Sequence, residues 1–152
     1  MVTLFNKVNS RLSSVMVGFD SGSRLEGEYG ILGGSAHMLE HSIFKGTSKR
    51  SALDISKDIG YLGGFTNAFT SHEMVGYYIT VPYENLEPAV EILSDIILNS
   101  TIPEDEFLKE VEVVKEEEIS RLDDVDSYMW SKFSPRFFSN YIGTPVIGTQ
   151  ES

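Results

Sequence analysis

The chain has 152 residues, 41% of them hydrophobic and 11% aromatic, enough for one domain that buries roughly 70% of its extended-chain surface. A net charge of -11 with a pI near 4.6 leaves no basic stripe to neutralise phosphates, so nucleic acid is excluded as an expected partner. Zero Cys removes disulfides, thiolate metal ligands and thiol nucleophiles, and without a secretory or membrane-length apolar run the expectation is a soluble, cytoplasmic protein.

In chain order, Leu12 to Phe19 alternates, with Val15, Val17 and Phe19 on one side, and reads as a half-buried strand. Asp20 to Ser23 breaks it, and residues 24–33, with Glu26, Gly27, Glu28 and Gly30, read as a loop. A helix is expected from Gly34 until Lys45-Gly46-Thr47, where Gly46 stops it. Ser51 then caps a second helix carrying Leu53, Ile55, Ile59 and Leu62 at helical spacing up to Gly63-Gly64. Gly64 to Thr70 and Met74 to Pro82 are rich in β-branched and aromatic residues and predict a hairpin turning at Ser71-His72-Glu73, with His72 on the surface. Glu84 to Asn99 and a longer stretch from Glu104 predict two helices, Pro103 suiting the first turn of the second. Ser127 to Phe138 reads as an aromatic-rich helix broken near Pro135, and the tail from Asn140 has no clear period. The fold class is therefore α+β, an antiparallel or mixed sheet packed against helices in a single domain, with no internal repeat.

Within the first helix lies His37-Met38-Leu39-Glu40-His41. On a helix His37 and His41 stand one turn apart on one face, about 6 Å along the axis, with Glu40 beside them. Two imidazoles are suitable ligands for Zn²⁺, and an adjacent carboxylate can hold a metal-bound water. The competing reading is two satisfied histidines and a surface glutamate on an amphipathic helix, but the His-x-x-Glu-His order is the inverted zincin motif. A third ligand must come from elsewhere, and the acid-rich Glu104 to Asp124 is the place to look. Most of its acids read as the solvated side of a helix whose other side is Phe107, Val111, Val114 and Leu122. Glu110 and Glu117, seven apart, return to one face; either could complete the site while the other orients an imidazole N–H.

Four segments in this order resemble the insulinase, or pitrilysin, family of zinc metallopeptidases, which includes the mitochondrial processing peptidase. They are Gly34 to Thr47, Gly64 to Thr70, Glu110 to Glu117, and Gly143-Thr144-Pro145-Val146-Ile147-Gly148-Thr149. The resemblance implies zinc held by His37, His41 and Glu117, with Glu118 as the alternative third ligand, Glu110 orienting an imidazole and Glu40 as general base. It also implies that Thr66 to Thr70 lies along the backbone of a peptide substrate contacted by Asn67, Ala68 and Phe69. For Phe69, plain core packing is the structural alternative.

By the same resemblance the chain is expected to be only the N-terminal part of a catalytic domain, working with a homologous partner domain or subunit, or self-associating as a homo-oligomer. The functional expectation is a zinc endopeptidase acting on peptides or unfolded segments. Its rivals are a non-catalytic binding or assembly subunit of the same fold and an acidic helical domain with an accidental motif.

Overall fold

The computed structural model describes residues 9–138, 143 and 145–149. It begins with strand β1 (Leu12–Phe19), a short helix α1 (Ser23–Glu28) and helix α2 (Ser35–Ser42), which tightens into a 3-10 turn over Ile43–Lys45. Helix α3 (Ala52–Tyr61), the hairpin β2 (Phe65–Thr70) and β3 (Val75–Pro82), and helices α4 (Leu86–Asn99), α5 (Glu104–Asp123) and α6 (Val125–Phe137) follow. The three strands are antiparallel in the order β1-β3-β2, so β3 is the middle strand. The last strand in sequence is therefore flanked on both edges, and its inward positions form the floor of the core. Tyr77, Ile79 and Val81 there are 2% exposed or less, packed with Ala89, Ile92, Leu93 and Ile96 of α4 and Ile55 and Ile59 of α3.

Local chemistry sets most boundaries as expected. Ser51 caps α3 in a reciprocal box with Asp54, each side chain bonded to the other's backbone N–H. Gly46 ends the turn after α2 at φ 150°, a conformation that disfavours any residue with a Cβ. Pro103 precedes α5 as its cap residue, and Asp124 accepts from Ser127 N–H to start α6.

The structure corrects the sequence reading in several places. Residues 24–33 are not all loop: Ser23–Glu28 is helical because Ser23 and Arg24 N–H donate to the Ser71 and His72 carbonyls of the hairpin turn. That pairing is tertiary, so no local signal announces it. His72 is correspondingly half-buried, its Nδ1 3.0 Å from Ser23 Oγ. Helix α6 runs through Pro135 to Phe137, since proline there costs only one intrahelical donor near the end. Leu53 is 61% exposed although it shares the helical period of Ile55 and Ile59. The apolar side of α5 is only partly covered, with Phe107 and Leu122 exposed. The expected tail beyond Asn140 lies mostly outside the described residues, but Ile147 is buried against the start of α2.

The loop joining α2 to α3 is fixed by a buried charge. Asp95 of α4 accepts from Thr47 Oγ1 at 2.8 Å, Arg50 Nη1 at 2.7 Å and Asn99 Nδ2 at 2.8 Å, while Arg50 also binds Glu91 and Asp58. Burial pushes the Asp95 carboxyl up, but the donors of Asn99, Thr47 and Arg50 outweigh it and hold it below the usual carboxylate range. A folded-state pKa below the unfolded one stabilises the fold at pH above about 4, and that contribution disappears as pH falls through the depressed value. Arg50→Ala leaves the buried Asp95 charge with only the exposed Lys49, 4.0 Å away, as a cationic neighbour and is expected to destabilise the fold by about 3 kcal/mol at pH 7. The variant should also lose less further stability on acidification than the parent, both effects being readable from urea unfolding at pH 7 and at about pH 2, below the unfolded carboxylate value.

Candidate metal centre

Helix α2 places His37 and His41 on the side that faces α5, with their ring centroids 4.7 Å apart. Glu117, reaching from α5, has its Oε2 3.7 Å from His37 Nε2 and 3.5 Å from His41 Nε2. These separations are too long for good hydrogen bonds. They match the spacing of about 3.3 Å between two ligand atoms that share one tetrahedral ion at bonds of about 2.0–2.1 Å. One ligand atom from each of the three residues lies within 4.8 Å of the others, and Glu118 is not in the group.

The charge state of each side chain follows from its surroundings. Burial lowers the His37 pKa, more than the opposing attraction of Glu117 can offset, so the ring is held neutral with a lone pair available to a cation. Its Nδ1 is buried without a hydrogen-bond partner among the described residues. Glu110, one of the few buried charged residues among those described, takes its Oε2 to within 3.1 Å of His41 Nδ1 and its Oε1 to within 2.6 Å of Lys45 Nζ. Burial raises the Glu110 pKa, but the hydrogen bonds from Lys45 and His41 outweigh it and keep the carboxyl below its ordinary value. An ionised carboxylate can only accept, so His41 carries its proton on Nδ1 and turns the Nε2 lone pair towards Glu117 and His37. The donor set of two imidazoles and one carboxylate suits a zinc-like cation, with room for a further ligand.

Glu40 projects beside this group and accepts from Thr70 Oγ1 at 2.6 Å. Thr70 ends β2, which pairs only with β3 among the described residues and has its other edge open. Thr66, Ala68 and Thr70 are the less exposed positions of β2, and a recess of about 240 Å³ between this strand, α2 and α5 is lined by Glu40, His41, Phe44, Lys45 and Glu110. Asn67 is exposed and its Oδ1 accepts the Ala68 N–H at 2.9 Å. Phe69 is 38% exposed and lies across Gly76 on the far face of the sheet, where a Cβ at Gly76 would come within 2.5 Å of its ring. The sequence alternatives for Phe69 thus meet half-way: it packs on the sheet, yet on the face away from the histidines.

A functional residue that sequence reasoning missed is Glu26. This carboxylate, 5% exposed, accepts from Gly34 N–H at 2.9 Å and Ala36 N–H at 2.7 Å, closing the N-terminus of α2 from outside the helix. Gly34 sits at φ 85°, and a Cβ there would come within 2.5 Å of the Ile147 carbonyl oxygen. Glycine is therefore required at the cap position, and glycine has no side chain to cap with. A helix starting on glycine with unsatisfied N–H groups was the available signal that an acceptor must come from elsewhere.

Comparison with known proteins agrees with this geometry. The family model for insulinase, peptidase family M16, matches residues 1–137. The chain belongs to the insulinase family. An uncharacterized zinc protease of Mycobacterium leprae is 42% identical over 143 residues, covering 93% of this chain and 32% of that protein. The beta subunit of the mouse mitochondrial-processing peptidase is 48% identical over 111 residues, 72% of this chain and 22% of the subunit. The crystal structure of a protease from Helicobacter pylori superposes with a TM-score of 0.83 at 30% identity, over 93% of this chain and 34% of that one. A peptidase M16 inactive domain from Pseudomonas fluorescens shares the fold alone, with a TM-score of 0.85 at 14% identity. This insulinase-family chain spans about a third of the length of the curated relatives it matches. Among its described residues no helix is long and apolar enough to cross a membrane.

Glu26→Ala strands the Gly34 and Ala36 N–H groups in a buried setting and is expected to lower stability by about 2 kcal/mol. Hydrogen exchange should show the loss concentrated in residues 34–42, where those donors begin the helix.

Proposed function

We propose that this chain carries the metal centre of a zinc-dependent endopeptidase acting on peptides or unfolded polypeptide segments. His37, His41 and Glu117 hold the ion, and Glu40 is the general base. The observation that carries the reading is the convergence of two imidazoles from α2 and one carboxylate from α5 at tetrahedral ligand spacing. The names of zinc proteases among its relatives support zinc as the ion.

Bound there, zinc supplies Lewis acidity that polarises a carbonyl and makes a nearby water easier to deprotonate. The protein's own residues do the rest. Glu40, adjacent to His41 in sequence and held by Thr70, is placed to take the proton from the attacking water and return it to the leaving amine. Glu110 keeps the His41 lone pair aimed at the ion, with Lys45 keeping Glu110 ionised. The open edge of β2 offers a row of backbone groups to an extended peptide, with Asn67, Ala68 and Phe69 presented along it, which is recognition by strand addition. No nucleophilic side chain is needed, in keeping with a chain that has no cysteine. The 152 residues act as one domain within a larger catalytic unit, in which a homologous domain, subunit or second copy encloses the peptide.

A non-catalytic assembly subunit is the second reading, favoured by the occurrence of the same fold in a domain described as inactive. Glu40→Gln separates the two. It is expected to leave zinc bound at one ion per chain by elemental analysis and to abolish chelator-sensitive cleavage of a quenched peptide. A parent protein that binds zinc and peptide without any cleavage would instead identify the assembly subunit. Glu110→Ala is expected to weaken zinc about 10–100-fold in chelator competition while leaving Glu40 untouched.

A further inference from the structure

We propose that Thr70 is a positioning residue, whose hydroxyl fixes the Glu40 carboxylate and so ties the catalytic base to the peptide-binding strand. The inference rests on the endopeptidase reading for its consequence and on geometry for its substance. Thr70 Oγ1 donates to Glu40 Oε2 at 2.6 Å, a charge-assisted bond between residues thirty positions apart in sequence. Among the described residues Thr70 is the hydrogen-bond partner of that carboxylate, the other Glu40 oxygen having none.

A glutamate side chain has three rotatable torsions, and its helix position alone does not select one carboxylate placement. The threonine does, because its own side chain is stiff. It is β-branched, it lies in a strand paired to β3 with Thr70 opposite Val75, and the next residue, Ser71, is locked by bonds to Met74. With one lone pair of Oε2 engaged by the hydroxyl, Oε1 keeps both of its own free to receive a proton. The strand that offers its open edge to a peptide therefore also sets where the base stands, and one hydrogen bond from β2 to α2 couples the position of the peptide to that of the carboxylate.

Three variants test this. Thr70→Val keeps the shape and strand preference but removes the hydroxyl, and Thr70→Ser keeps the hydroxyl but removes the methyl. For Thr70→Val kcat is expected to fall about tenfold, the cost of losing one hydrogen bond to a charged group. KM and the zinc content should stay at parental values, a split that a general packing defect would not produce. Thr70→Ser should recover most of the lost kcat. Glu40→Gln serves as the inactive reference.

Crystal structures of the metal-free parent, Thr70→Val and Thr70→Ser proteins give a reading that does not need activity. Glu40 is expected in one placement in the parent and the serine variant, and displaced or spread over several in the valine variant. Parental kcat in Thr70→Val, equal losses in the valine and serine variants, or an unmoved Glu40 in the valine structure would each overturn the proposal. Should the parent protein cleave no peptide, the endopeptidase reading fails, and the three crystal structures still decide whether Thr70 positions Glu40.

Discussion

The arrangement depends on one carboxylate bridging two helices. Glu110 is buried on α5 between the ammonium of Lys45 and the imidazole of His41, both from the α2 segment. Burying a carboxylate is costly unless every lone pair finds a donor, and here the donors are supplied by the very helix that α5 must lie against. The crossing of α5 over α2 is thereby restricted to a register in which Glu110 is satisfied. Two turns further along α5, that same register carries Glu117 to the histidines. The convergence of residues far apart in sequence is thus a consequence of a hydrogen-bond requirement, with apolar packing playing a smaller part, as the half-exposed Phe107 and Leu122 of α5 indicate.

The histidine pair and the glutamate between them were legible because helical periodicity is a local rule, and the same rule narrowed the third acid to Glu110 or Glu117, between which only the family resemblance chose. Spacings of four and seven return to one face whatever the tertiary context. The hairpin and the capped helix α3 were legible for the same reason, each being specified within one short contiguous stretch of sequence. What escaped was tertiary. Glu26 in its glycine-flanked stretch looks like an ordinary loop acid, and only the position of Gly34 beneath the Ile147 carbonyl explains why a distant carboxylate must cap α2. Helix α1 is equally invisible locally, because its first donors are bonded to the hairpin turn. Phe69 was ambiguous since period-two alternation gives two faces without saying which one meets the histidines.

Fold and chemistry separate cleanly in this molecule. The same architecture is shared with a domain described as inactive at 14% identity, so the sheet and helices are a scaffold that does not by itself imply catalysis. The candidate site of this chain is a handful of polar side chains seated on that scaffold. The two imidazoles, the two acids of α5 and Glu40 come from elements held on both sides: α2 is capped by Glu26 at one end and anchored through Thr47, Arg50 and buried Asp95 beyond the other.

The placement of β3 between β1 and β2 has a consequence for how the molecule assembles. The hairpin can close as soon as its own residues exist, whereas Leu12 must find Pro82 across a span that includes α1, α2 and α3. Pairings so distant in sequence slow folding, because the loop entropy is lost before the contacts form. Both histidines ride inside that span. A nascent chain therefore displays them without Glu117 until α5 has emerged, so the group of three assembles only after both segments exist.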